Sequence, residues 1–170
     1  MSAPANFDFE KLKWYNHKHI QEKNSEKLLN DILELMPSLA ELDQLKLIKA
    51  IDLVKERATT LVDLWVLAEY LFFSPKQYNE KVLKRVSLEV VNKLIVLCED
   101  LESRNVNKTN LLGLIKSWSD ENNIPLGRVL ISIRIVIVGE PSGIELDKIL
   151  YFIGFDEFVL RLNSFVKNAF

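Results

Sequence analysis

The sequence predicts an all-α protein, a compact array of two helical subdomains with roughly nine or ten helices. Three observations carry that expectation. Apolar residues recur at i, i+3, i+4 and i+7 through most of the chain, which is the mark of a helix with one buried face. The stripes stop at Pro37, Ser74-Pro75 and Gly154, where proline or glycine ends helical backbone. The single β-branched run, Val129 to Val138, finds no second run to pair with, and a lone strand is not stable.

Taken in order, the first stripe is Leu28, Leu29, Ile32, Leu33 and Met36, stopped by Pro37. Leu45, Ile48, Ile51 and Val54 form the next, ending near Arg57. Leu61, Leu64, Trp65, Leu67, Ala68, Leu71 and Phe72 form a third, and Ser74, preceding a proline, is its boundary. The polar stretch Pro75 to Lys84 then separates the two halves. The expected division is a tail over 1–6, a first subdomain over 7–75 and a second over 76–170. In the second, Leu88, Val91, Leu94, Ile95, Cys98 and Leu101 read as a helix that buries Cys98 as a small hydrophobe. Leu111, Leu112, Leu114, Ile115 and Trp118 read as the next. Pro125 is placed as the first residue of a helix carrying Leu126, Val129, Leu130, Ile133, Val136 and Ile137. Ser142-Gly143-Ile144-Glu145 has the spacing of a capping box, and the helix it opens ends at Gly154. A last helix runs from about Asp156 on Phe158, Val159, Leu162, Phe165 and Val166.

Composition narrows the function classes. With 170 residues, 48% hydrophobic, the chain is long enough to bury a real core. Five Gly and five Pro exclude collagen-like and low-complexity chains. One cysteine excludes a disulfide framework and points to a reducing, cytoplasmic setting. A net charge of -2 argues against a blanket positive field as the only grip on nucleic acid. Met1 to Asn6 lacks the features of a signal peptide, and no apolar run is long enough to span a bilayer, so a soluble protein is expected.

No catalytic constellation can be assembled. His17 and His19 lie two apart, on different sides of a helix, and have no ligand partners at metal spacing, so no metal site is expected. Glu99-Asp100 reads as a solvated pair, and no phosphate loop or nucleophile elbow occurs. Arg134 stands out as the lone charge in an apolar run. It must snorkel, pair with a carboxylate or face a ligand. Arg57, at the end of a helix, either offsets the helix dipole or faces a ligand. Phe7, Phe9, Trp14 and Tyr15, and then Trp65, Tyr70, Phe72 and Phe73, read mostly as packing residues, although exposed rings stack bases. Lys76, Lys81, Lys84 and Arg85 fit phosphate contacts and a solvated connector equally well.

Lys11-Leu12-Lys13-Trp14-Tyr15-Asn16-His17-Lys18-His19-Ile20 resembles the Lys-Leu-x-Trp-x-Asn-x-x-Tyr-Ile segment of bacterial glutamyl-tRNA synthetases, with His19 in place of tyrosine. Arg57-Ala58-Thr59-Thr60-Leu61, followed by Tyr70-Leu71-Phe72-Phe73, is similar to that family's Arg-x-x-Thr-Leu helix and its aromatic end. The tail resembles it best, in Leu126-Gly127, Ile133-Arg134 through Gly139, Leu146, Ile149-Leu150, Ile153-Gly154 and Arg161-Leu162. The ordered set spans Phe7 to Val166.

The resemblance implies a helical anticodon-binding domain, a C-terminal fragment of the synthetase. Catalysis, ATP and Mg would then belong to an upstream domain, with no cofactor in this chain. It implies a monomer that binds tRNA(Glu), with no DNA or membrane partner. Residue by residue, Arg57 matches the arginine that reads the third anticodon base, a position that goes with discrimination against glutamine tRNA. Arg134 matches a second anticodon-contacting arginine, and Gly143, Ile144 and Leu146 match residues packed around the splayed anticodon. Gly143-Ile144 departs from the family's usual Thr-Pro or Gly-Pro. Lys81, Lys84 and Arg85 are candidate phosphate contacts. The reading from another class is a helical protein–protein interaction module, which needs a contiguous apolar patch instead of accessible arginines.

Overall fold

Helices form wherever the stripes were read, and also in two places where none was. The computed structural model describes residues 9–168, with side chains from Glu10 onward. The expected tail 1–6 and the rings of Phe7 and Phe9 lie outside that description. Nine α-helices and no strand occur among the described residues. They are α1 (Phe9–Glu22), α2 (Ser25–Leu35), α3 (Gln44–Val54), α4 (Leu61–Phe72), α5 (Glu80–Leu83), α6 (Leu88–Ser103), α7 (Leu111–Glu121), α8 (Leu126–Val138) and α9 (Leu146–Asn168). They belong to two compact units, one ending at Glu69 and the other beginning at Tyr70. The division falls inside α4, which runs unbroken to Phe72.

In the first unit, Leu28, Leu29 and Ile32 of α2 pack with Leu47, Ala50, Ile51 and Val54 of α3 and Leu64 and Ala68 of α4. Of the stripe expected for α3, Ile51 and Val54 are buried, while Leu45 is 72% exposed and Leu47 and Ala50 face inward beside them. Pro37 ends the α-helix, but the chain tightens into a 3-10 turn over Pro37–Glu41 that buries Leu39. Side-chain oxygens cap the helix starts, Asn24 accepting from Glu26 N and Asp43 from Lys46 N. The unanticipated α1 is a mostly polar helix whose buried contact is Ile20, which is why no stripe announced it.

The second unit is built around α8. Val129, Ser132, Ile133, Ile135, Val136 and Ile137 are all buried there, among Leu94 and Cys98 of α6, Ile115 of α7, and Ile149, Phe158 and Leu162 of α9. A β-branched run is helical here because its neighbours are helices, which offer no strand edge for hydrogen bonding. Pro125 is the N-cap of α8 and not its first helical residue. Buried Ser132 is satisfied twice, donating to Arg128 O at 2.8 Å and accepting from Ser87 N, at the start of α6, at 3.1 Å. Burial pushes the Cys98 thiol up to about 12, so it is an inert core residue.

Two local readings change. The Ser142–Glu145 capping box does not form: helical backbone starts only at Leu146, and Ser142 is exposed. The buried side chain of Ile144 pins the preceding loop, so the chain turns into the helix three residues later than local spacing suggests. At Gly154 the chain kinks (φ 79°, ψ 171°), an extended positive-φ geometry and not the left-handed cap expected, and α9 resumes beyond it.

Candidate nucleic-acid interface

The first unit presents Arg57 on a turn that is held from both sides. The turn leaves α3 through Arg57 N donating to Val54 O at 2.9 Å. Ala58 is fully buried, and its carbonyl accepts from His17 Nδ1 of α1 at 2.7 Å, so His17 anchors this turn. On the far side, Thr60 Oγ1 accepts from Asp63 N at 3.1 Å while Asp63 Oδ2 accepts from Thr60 N at 3.0 Å. This is the reciprocal capping box that starts α4. Asp63 also takes Thr59 N at 3.0 Å and Thr59 Oγ1 at 2.5 Å. Between these anchors the Arg57 side chain is exposed, with no hydrogen bond or ion pair to any described residue. A cation on a fixed backbone with its donors unspent is suited to an acceptor brought from outside.

Hydrogen bonds from Thr59, set against a smaller effect of burial, hold the Asp63 carboxyl below its ordinary value of 3.8. A carboxyl with a depressed folded pKa stabilises the fold above its unfolded pKa and loses that contribution as pH falls through the folded one. Asp63→Ala is expected to cost about 1 kcal/mol in urea unfolding at pH 7, the usual worth of a cap. The difference from the parent should shrink as pH is lowered past about 4. An equal difference at pH 7 and pH 3 would mean that the box contributes nothing as a carboxylate.

In the second unit, Arg134 projects from α8 toward the loop that joins α8 to α9. Gly139 ends α8 in the left-handed region (φ 85°), its N–H closing on Ile135 O. The loop then returns so that Arg134 Nη1 donates to Ile144 O at 2.8 Å. Arg134 is half-buried and has no carboxylate partner among the described residues. Of the alternatives open to it, an ion pair is the one it does not take. One bond of the five its guanidinium offers goes to the loop, and the rest of the fork is left for another acceptor. Ile144 and Leu146 are buried at 3% and 7% exposure. Their side chains fix the loop from beneath, and Ser142 is exposed while Gly143 and Arg134 are half-buried.

The rest of the expected cluster is dispersed. Lys76, Lys81, Lys84 and Arg85 are exposed around the short α5. Trp14, Tyr15 and Phe73 are exposed, contrary to a packing role, and Lys18 lies 5.6 Å from the Trp14 ring centroid. Phe72 does pack, edge-on against Phe152 at 5.7 Å. A cleft beside α7 and α9 holds Lys108 over the Phe155 ring at 4.7 Å and Tyr151 at 79% exposure, an arrangement the periodicity did not signal.

Arg161, only 1% exposed, entered the sequence reading only within the tail pattern and was given no role there. Its Nη1 donates to Tyr70 O at 2.6 Å and Ile137 O at 2.9 Å, and its Nε to Glu157 Oε1 at 2.6 Å. It thus binds carbonyls in the last turns of α4 and α8, the negative ends of two helices. Tyr78 Oη completes the end of α8 by donating to Val136 O at 2.8 Å, and burial pushes its phenol up to about 12. The signal for Arg161 was present in its phase: it lies on the same helix face as Phe158 and Phe165.

The chain matches the family model described as anticodon binding domain over residues 27–166. It is 32% identical over 170 residues to a glutamate–tRNA ligase of Flavobacterium psychrophilum, covering 98% of this chain and 34% of that protein. A second ligase of this type, glutamate–tRNA ligase 2 of Helicobacter acinonychis, is 28% identical, with 98% of this chain and 37% of that protein covered. Among solved structures, a glutamate tRNA ligase from Elizabethkingia meningosepticum, in complex with its amino acid, superposes with a TM-score of 0.81 at 26% identity. That match covers 95% of this chain and 33% of the other. The chain spans about a third of the length of these relatives.

Proposed function

This chain belongs to the anticodon binding domain family, and from that premise we propose that it is the part of a glutamate–tRNA ligase that reads the anticodon of tRNA(Glu). The observation that carries the reading is Arg57: exposed, without a partner among the described residues, and on a turn held by His17 on one side and the Thr60–Asp63 box on the other. Anticodon bases unstack from their loop and present their edges to a few placed donors. Arg57 reads the third base by parallel hydrogen bonds, and its planar fork makes that contact specific. Arg134 reads a second base from its place over the Gly143–Ile144 loop, and Lys81, Lys84 and Arg85 meet phosphates. Shape and these few charges suffice in a chain of net charge -2, because the remainder of the ligase adds affinity. Glutamate activation, ATP and Mg belong to that remainder, and the chain acts as a monomer in the cytoplasm. No described helix is long and apolar enough to cross a membrane.

The test is binding of the chain to a tRNA(Glu) transcript and to one with the third anticodon base replaced, across a salt series. The natural transcript is expected to bind about tenfold or more tighter, the worth of one good bidentate base contact. Arg57→Ala should erase that preference and leave the fold intact. Equal, salt-sensitive binding to both transcripts would reduce the interaction to phosphate attraction and end the base-reading assignment.

A further inference from the structure

The peptide group that joins Ala58 to Thr59 is held at both ends. Its oxygen, Ala58 O, accepts from His17 Nδ1 at 2.7 Å, and its N–H, on Thr59, donates to Asp63 Oδ2 at 3.0 Å. One hold comes from α1, 41 residues away in the chain, and the other from the first turn of α4. With both polar groups engaged, this peptide plane does not turn without breaking two hydrogen bonds. On the near side of Arg57, its own N–H closes on Val54 O at 2.9 Å. The backbone is thus fixed before and after Arg57, while the side chain stays exposed. A carbonyl oxygen only accepts, so His17 Nδ1 carries the hydrogen of this bond. Without the imidazole, the oxygen of fully buried Ala58 loses that donor. Buried carbonyls are rarely left unpaired, so the plane would rotate to find another donor and re-aim Arg57. The Lys-Leu-x-Trp-x-Asn-x-x-Tyr-Ile pattern sets no requirement at residue 17, so this hold follows from the geometry and not from the resemblance.

We propose that His17 is a positioning residue for the reading of the third anticodon base: by holding the Ala58 carbonyl it fixes the direction from which Arg57 meets the base edge. This rests on the anticodon-reading function proposed above. A bidentate contact needs both donors of the planar guanidinium in line with two acceptors, and a shifting backbone spreads the fork over directions that meet only one. Loss of the hold therefore costs discrimination at one anticodon position more than it costs overall affinity, which phosphate contacts supply.

The experiment measures the affinity of the parent chain, His17→Phe, His17→Asn and Arg57→Ala for tRNA(Glu) transcripts carrying the natural anticodon or a replacement at each position. Thermal melts are run alongside. Phenylalanine keeps a planar ring and donates nothing. The amide nitrogen of asparagine stands at the same remove from Cβ as Nδ1 of histidine, so it restores the donor. In His17→Phe the preference at the third position should fall about three- to tenfold, the worth of one hydrogen bond, with the other positions unchanged. His17→Asn should stay within about twofold of the parent. If His17→Phe does not melt cooperatively, His17→Gln, whose amide lies one bond further out, takes its place with the same expected loss. An undiminished third-base preference, an equal loss on every transcript, or a loss that His17→Asn does not restore would overturn the role of His17. If Arg57→Ala loses the preference while His17→Phe keeps it, the anticodon reading stands and only the histidine's part falls. If the parent itself binds all transcripts alike, the reading fails and His17 falls with it.

Discussion

Arg161→Ala is expected to destabilise the second unit by about 3–5 kcal/mol, the cost of removing one partner from a buried, charged network. The cause is what remains behind. Tyr70 O and Ile137 O lose their shared donor in a site closed to water, and each unsatisfied buried carbonyl costs about 1–3 kcal/mol. The melting temperature should drop by about 10 °C, read by circular dichroism. Arg161→Met fills the volume but donates nothing, so it should recover little. Arg161→Lys keeps the charge but, as a point donor, does not match the fork and should recover only part. Glu157 side-chain exposure is 34%, so Glu157→Gln should cost less than about 1 kcal/mol. If Arg161→Ala costs no more than Glu157→Gln, the clamp on the two helix ends is dispensable.

Arg134→Ala should weaken binding of tRNA(Glu) by about 10- to 100-fold, from loss of a charged contact worth roughly 1–3 kcal/mol. The fold should lose only about 1 kcal/mol with the bond to Ile144 O, because the buried Ile144 side chain still anchors the loop. The salt dependence separates two ways of losing affinity. A base contact leaves the slope of log Kd against log salt unchanged and relaxes preference at one anticodon position. A phosphate contact lowers the slope by about one and weakens every transcript equally. The first result is expected, and Arg134→Lys should not restore the preference. The second would move Arg134 from reading a base to gripping the backbone.

Both predictions concern arginines in apolar surroundings, and the sequence exposed one of them. Arg134 was visible as the only charge between Val129 and Val138. Arg161 was masked by flanking leucines, and its importance depends on carbonyls contributed by α4 and α8. No local pattern encodes a partner so distant in the chain. Arg57 was legible as a residue, but the reason its head is free was not: His17 and Asp63 hold the turn, and neither was singled out for that work.

The sequence by itself determined the all-α class, most helix spans, the break at Gly154 and the burial of Cys98. Each follows from short-range rules, a period of 3.6 residues or the torsional habits of proline and glycine, which a single chain displays locally. Tertiary structure decided which residues of α3 join Ile51 and Val54 inside, Leu47 and Ala50 in place of Leu45. It delayed the start of α9 to Leu146 by burying Ile144. It also set Arg134 against the Gly143 backbone. The physical reason is shared: when several apolar residues or backbone states are locally near-equivalent, the neighbours that exclude water select among them, and those neighbours come from elsewhere in the chain.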